Sequence, residues 1–223
     1  MDANRKSWNE RQQALRQALA QPGELPQAIA LFQTQHAMVH AAAMSQSGLW
    51  SFEDEAWAGL SAGELRTIPP GQEHSIAWLV WHITRIEDIT LNILVAGRPQ
   101  LLRRGAWQSR LKTSISDTGN ATSPQDIAQL SAAIDLDELK AYRLAVGRST
   151  REIVQNLRPG EIKNRVDPIR LAGLTAEGAV VPAAQEIIEY WGGLTIAGLL
   201  LMPPTRHSYI HLNEALRVRQ KLG

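Results

Sequence analysis

Apolar residues recur along this chain with a helical period, and no strand-like alternation of useful length interrupts them. Residues 5–20 are rich in Gln, Arg, Ala and Leu, which favour helix, and Pro22-Gly23 ends that segment. From Pro26 the run QAIALFQTQHAMVHAAAMS sets Ile29, Phe32, His36, Val39 and His40 on one helical stripe, until Ser47-Gly48 breaks it. Ser51, followed by Asp54 and Glu55, reads as the cap of a short helix reaching Leu60, and Ile68-Pro69-Pro70-Gly71 as a turn. The clearest long amphipathic helix covers 75–96, SIAWLVWHITRIEDITLNILVA, closed by Gly97 and Pro99. Leu79, Ile86, Ile89 and Ile93 keep approximate register with His82, which turns that histidine toward the core.

The polar stretch TSISDTGNAT, 113–122, predicts an exposed loop able to rim a pocket. Ser123-Pro124 opens a short helix, and 135–157 predicts a long one with Leu139, Tyr142, Val146, Ile153 and Leu157 on its apolar side. Residues 161–181 read as a mixed connection, AAQEIIEYW as helix ending at Gly192-Gly193, and 205–222 as a last helix after a break at Pro203-Pro204. The apolar run 194–202 is too short to cross a bilayer and reads as buried helix. The pattern predicts an all-α domain with about four principal helices in a bundle and extra short helices. Residues 1–25 form an N-terminal helical extension, and 26–223 the bundle domain.

Composition narrows the function. The 223 residues are 44% hydrophobic, enough to bury one sizeable core, and 23 Lys plus Arg against 22 Asp plus Glu leave no global field for a polyanion. Nucleic acid and membrane are therefore not expected partners, and the basic group at 217–221 reads as a solvated helix end. The absence of cysteine excludes disulfides, thiolate metal ligands and a cysteine nucleophile, and fits a reducing cytoplasm. The first residues lack the apolar run of a secretory signal, which also points to a cytoplasmic protein.

The chemistry lies in six histidines, four of them paired at i, i+4: His36 with His40, and His207 with His211. Such a pair offers two imidazoles to one metal, or two rings hydrogen-bonded to core neighbours. If the helix carrying His82 packs beside the last helix, His82, His207 and His211 meet as a facial three-histidine set with coordination positions left open, as in a catalytic site. His36 and His40 are the alternates. Glu214 shares the face of His207 and His211 and is available as a further ligand, a general base or a surface salt-bridge partner. Glu87, Asp88, Glu189 and Glu214 are candidates to orient the ligands. Trp78, Trp81 and Trp191 read as core packing or pocket wall, Arg85 as a partner of Asp88 or of a cosubstrate carboxylate, and His74 as a turn residue without a role.

The segments IAWLVWHITRIEDITLNILVAG and RHSYIHLNEAL resemble, in order and spacing, the two histidine-bearing helices of the DinB/YfiT-like family, a resemblance covering most of 26–220. It implies an up-down-down-up four-helix bundle, often a homodimer, in bacterial proteins that are mostly uncharacterised. It also implies a divalent metal on one histidine of the second helix and two of the last, which map to His82, His207 and His211. Zinc is the default ion, with nickel or iron as alternatives. Relatives include S-transferases that use a low-molecular-weight thiol, so the resemblance implies a metal-dependent transfer of such a thiol to a small electrophile. A non-catalytic ligand-binding or stress-response bundle is the alternative. Sulfoxide synthases of similar fold need a second, C-terminal domain that this sequence does not carry, so their oxygen-dependent reaction is not expected.

Overall fold

A computed structural model describes residues 2–222. The principal elements are an N-terminal helix (Ala3–Ala20), a first bundle helix (Leu25–Met38), a central helix (Ile76–Asp88), a third (Leu136–Gln155) and a C-terminal one (Ser208–Gln220). Shorter helices fill the connections. Among the described residues there is no strand, only an isolated bridge between Arg165 and Thr195. The all-α bundle is thus as the sequence predicts. No helix among those described is long and apolar enough to cross a membrane.

Local chemistry accounts for most of the boundaries. Ser75 caps the central helix by accepting the Trp78 amide at 3.0 Å, and its hydroxyl donates to Ser131 Oγ at 2.8 Å. Ser51, Ser123 and Asp135 cap their own helices in the same way. Ser61 and Glu64 form a full capping box. The N-terminal helix lies on the bundle: Trp8 stacks on Tyr209 at 3.7 Å between ring centroids, and Gln12 donates to the Leu201 carbonyl at 2.9 Å.

Four expectations are corrected. The segment 75–96, whose residues from Ser75 to Val95 are all buried, is not one regular helix, since Ile89–Val95 winds as a π-helix. The Thr90 hydroxyl donates to Ile86 O at 2.7 Å, a back-bond of the kind that loosens the regular ladder. The first bundle helix stops at Met38, so His40 lies beyond it in a bend rather than one helical turn after His36. Pro203 and Pro204 do not break the chain's winding: Ile196–Leu201 runs through a π-helical Met202–His207 straight into the C-terminal helix. Finally, the loop 113–122 is not simply exposed, because Thr118 and Gly119 are buried against the central helix.

The apolar core has two parts. One gathers Trp78, Trp81, Ile83, Tyr142 and Leu212, and the other Phe32, Ile86, Ile89, Leu94 and Leu199. The central helix serves both. Between them it carries Thr84, Arg85, Glu87 and Asp88, each fully buried.

Packing against the third helix is tight at Gly147. Alanine there gains about 1 kcal/mol from helix propensity. Its Cβ, however, would lie 2.7 Å from His40 Cε1 and Nδ1 and 2.9 Å from Met44 Cγ. Overpacking costs about 1–3 kcal/mol and outweighs the propensity gain. Gly147→Ala is therefore expected to lower the urea midpoint; an unchanged midpoint would mean that the segment around His40 yields freely.

Candidate metal centre

The central and C-terminal helices pack side by side, and their contact brings His82, His207 and His211 together. Each offers a ring nitrogen, and these atoms all lie within 4.8 Å of one another. Ring centroids are 5.0 Å apart for His82 and His207, 5.0 Å for His82 and His211, and 4.5 Å for His207 and His211. The π-helical turn Met202–His207 sets His207 one turn before His211 on the same wall.

Hydrogen bonds fix two of the three tautomers. His82 Nδ1 lies 2.8 Å from the Thr118 carbonyl, which can only accept, so Nδ1 carries the proton and Nε2 keeps its lone pair. His211 Nδ1 donates to Glu214 Oε2 at 3.0 Å, which likewise frees its Nε2. His207 has a buried Nδ1 with no partner. A metal-ligating histidine ordinarily donates its second N–H to a carbonyl or carboxylate, and two of these three do so. The donor set therefore fits a borderline-soft divalent ion.

Electrostatics keep His82 and His207 neutral. Burial lowers the His82 pKa, and repulsion from His211 adds to it, bringing it to about 3. Burial, with His82 and His211 adding to it, holds His207 well below its usual value. Burial raises Glu214, but hydrogen bonds from His211 and His74 outweigh it and bring the carboxyl to about 2. Both Glu214 oxygens are thereby engaged, Oε2 by His211 and Oε1 by His74 at 2.8 Å. Of the acids expected to orient ligands, Glu214 is the one in contact with a histidine of this set. Of the other proposed orienting acids, Asp88 serves the Arg85–Tyr142 network, Glu87 serves His36 and His40, and Glu189 is exposed.

His36, His40 and Glu87 form a second, fully buried cluster. His36 Nε2 lies 2.8 Å from Glu87 Oε1 and His40 Nε2 2.9 Å from Oε2. Arg143 donates to Glu87 at 2.8 Å, to Glu53 at 3.0 Å and to the Val39 carbonyl at 2.9 Å. Two features separate this cluster from the first. A guanidinium already neutralises its carboxylate, and neither Nδ1 has a hydrogen-bond partner. It is built as an ion-paired knot, with Glu87 as acceptor for two imidazole N–H groups and an arginine.

Sequence reasoning missed two members of the site. The Thr118 carbonyl is a backbone group on a distant loop and leaves no side-chain signal. His74 left one: it precedes Trp78 and His82 by four and eight residues, and its ring stacks on Trp78 at 4.1 Å, which stacks on His82 at 4.8 Å. Trp81 is wholly buried as core, and Arg85 pairs with Asp88 at 3.1 Å.

Fold and site together define a helical-bundle protein with a candidate three-histidine centre. The chain belongs to the DinB superfamily, whose family model matches residues 53–189, a span that includes His74 and His82 and stops before His207 and His211. A crystal structure of a conserved protein from Enterococcus faecalis has the same fold, with a TM-score of 0.62 at 15% identity over 85% of this chain and 95% of that one. No curated protein matches the sequence.

The depressed His82 pKa has a measurable consequence. Between its ordinary value of 6.5 and about 3, the unfolded state binds a proton at this residue that the folded state does not, so acidification favours unfolding. The slope is about 1.4 kcal/mol per pH unit for one such group. Urea unfolding of metal-free protein should thus show stability falling as pH drops below 6.5, and His82→Gln should fall less steeply. Parallel slopes would mean that His82 is protonated in the fold.

Proposed function

We propose that this protein is a divalent-metal-dependent enzyme that transfers a low-molecular-weight thiol to a small electrophile, with His82, His207 and His211 holding the ion. One observation carries the reading: three imidazoles converge while the second nitrogens of His82 and His211 are tied to acceptors, leaving both Nε2 lone pairs bare. Three protein ligands leave positions open for water or substrate. The ion, when bound, would supply Lewis acidity that keeps a thiol as thiolate near neutral pH. Zinc is the default choice for an all-imidazole set, with nickel and iron as alternatives.

The chain's own residues do the rest. Burial keeps His82 neutral and able to donate its lone pair. Glu214 keeps His211 in the tautomer that presents Nε2. His211 is only partly buried, its side chain 20% exposed, so substrates reach the centre from that side. With no cysteine in the chain, the attacking sulfur belongs to the cosubstrate. The thiolate sulfur bonds to the electrophilic carbon, and the displaced group leaves with its electron pair and takes up a proton from water.

Metal analysis of untagged protein beside His82→Ala and His211→Ala tests the assignment. Near-stoichiometric divalent metal in the wild type, lost by at least tenfold in both variants, is expected, followed by turnover that requires an added thiol. Full metal retention in His211→Ala would falsify the ligand set. Metal-free, well-folded wild-type protein would turn the reading to a ligand-binding bundle without chemistry.

A further inference from the structure

His74 lies outside the three-histidine set, one residue before the cap of the central helix. Its Nδ1–H donates to Glu214 Oε1 at 2.8 Å, while Glu214 Oε2 accepts the His211 Nδ1–H at 3.0 Å. The same ring lies nearly parallel to Trp78, 4.1 Å away at 13°, and Trp78 lies parallel to His82, 4.8 Å away at 9°. One imidazole therefore reaches two of the three candidate ligands by independent routes, a carboxylate bridge to His211 and a ring stack to His82. The outer side of His74 forms part of the wall of a 470 Å³ cleft with Ile68, Glu73, Thr122 and Ile127.

A carboxylate bound through one oxygen can swing about its remaining bonds. With an N–H on each oxygen, the plane of Glu214 is set, and with it the direction of the His211 ring. The ring stack limits how far His82 can tilt. We propose that His74 is a positioning residue of the metal centre, acting on His211 through Glu214 and on His82 through Trp78. This inference rests on the metal reading above. It assigns a role to a residue that coordinates nothing.

Co²⁺ serves as the probe, because its visible ligand-field bands report coordination geometry independently of turnover. Affinity and spectrum are measured for wild type, His74→Ala, His74→Phe, which keeps a ring over Trp78 without the N–H, and His74→Gln, which keeps a donor without the ring. Loss of an outer-layer partner of this kind typically weakens metal binding by about 10–100-fold. His74→Ala is expected to weaken Co²⁺ binding by about tenfold and to shift the visible bands, with the Phe and Gln variants intermediate. Glu214→Gln is expected to weaken binding as well, and His74→Ala added to it should cost less than it does alone, because one route runs through that carboxylate. The melting temperature of each metal-free variant separates this effect from misfolding. Wild-type affinity and spectrum in His74→Ala overturn the inference while leaving the ligand set standing. A wild-type protein that takes up no Co²⁺ overturns both.

Discussion

Burial of the central helix on every side is the constraint to which the rest of the structure answers. From Ser75 to Val95 no side chain is exposed, although the run includes His82, Arg85, Glu87 and Asp88. An unpaired buried charge costs several kcal/mol, so each of these residues requires partners from the elements packed on it. Asp88 accepts from Arg85, from Tyr142 on the third helix, from Asn92 and from the amides of Leu101 and Leu102. Glu87 takes Arg143 from the third helix, His36 from the first and His40 from the bend that follows it. His82 takes a loop carbonyl and faces His207 of the π-helical turn and His211 of the last helix. The polar side chains of one helix thus specify the placement of its three bundle neighbours, a task that apolar contacts, being non-directional, do less sharply.

The two histidine clusters use the same ligand type and differ in what lies behind it. Around Glu87 the carboxylate sits among the imidazoles and is neutralised by Arg143, so the cluster is electrostatically complete as it stands. Around His82 the carboxylate of Glu214 sits behind one imidazole, His211, and a loop carbonyl sits behind another, His82, so that both leave their Nε2 lone pairs free. Position of the acid relative to the rings, rather than the number of rings, is what makes one cluster a knot and the other a candidate ion site. Spacing along the chain treats His36 and His40 as the equal of His207 and His211, because it carries no record of where the carboxylates fall.

That difference explains what was legible from sequence. Helical periodicity located the long elements, and the convergence of His82 with His207 and His211 follows once their helices pack together. The all-round burial of the central helix was not legible. Glu87 and Asp88 read as candidates to orient ligands because their actual partners, Arg143 and Tyr142, stand more than fifty positions away. The π-helical turns were equally hidden. Pro203 and Pro204 lack amide donors, and the wider winding there tolerates what an ordinary helix interior would not.

The long connections, which exceed what four helices need, are part of the site. His82 is held by a carbonyl of the 113–122 loop, so the loop must lie close to the central helix. Gly119, at φ +81°, makes that approach: a Cβ there would meet Trp81 at 2.7 Å. The loop is then tied down from outside, since the Thr118 amide donates to the Ala179 carbonyl at 3.1 Å and Arg85 donates to the Ser116 carbonyl at 2.6 Å. Gln100, engaged by Arg85, donates in turn to Glu177 at 3.2 Å. The connection around Ala179 therefore braces the roof that orients His82, much as His74 and Glu214 brace the wall that orients His211. A bare bundle would bring three imidazoles together; the added loop decides which way His82 points, while Glu214, held by His74, does so for His211.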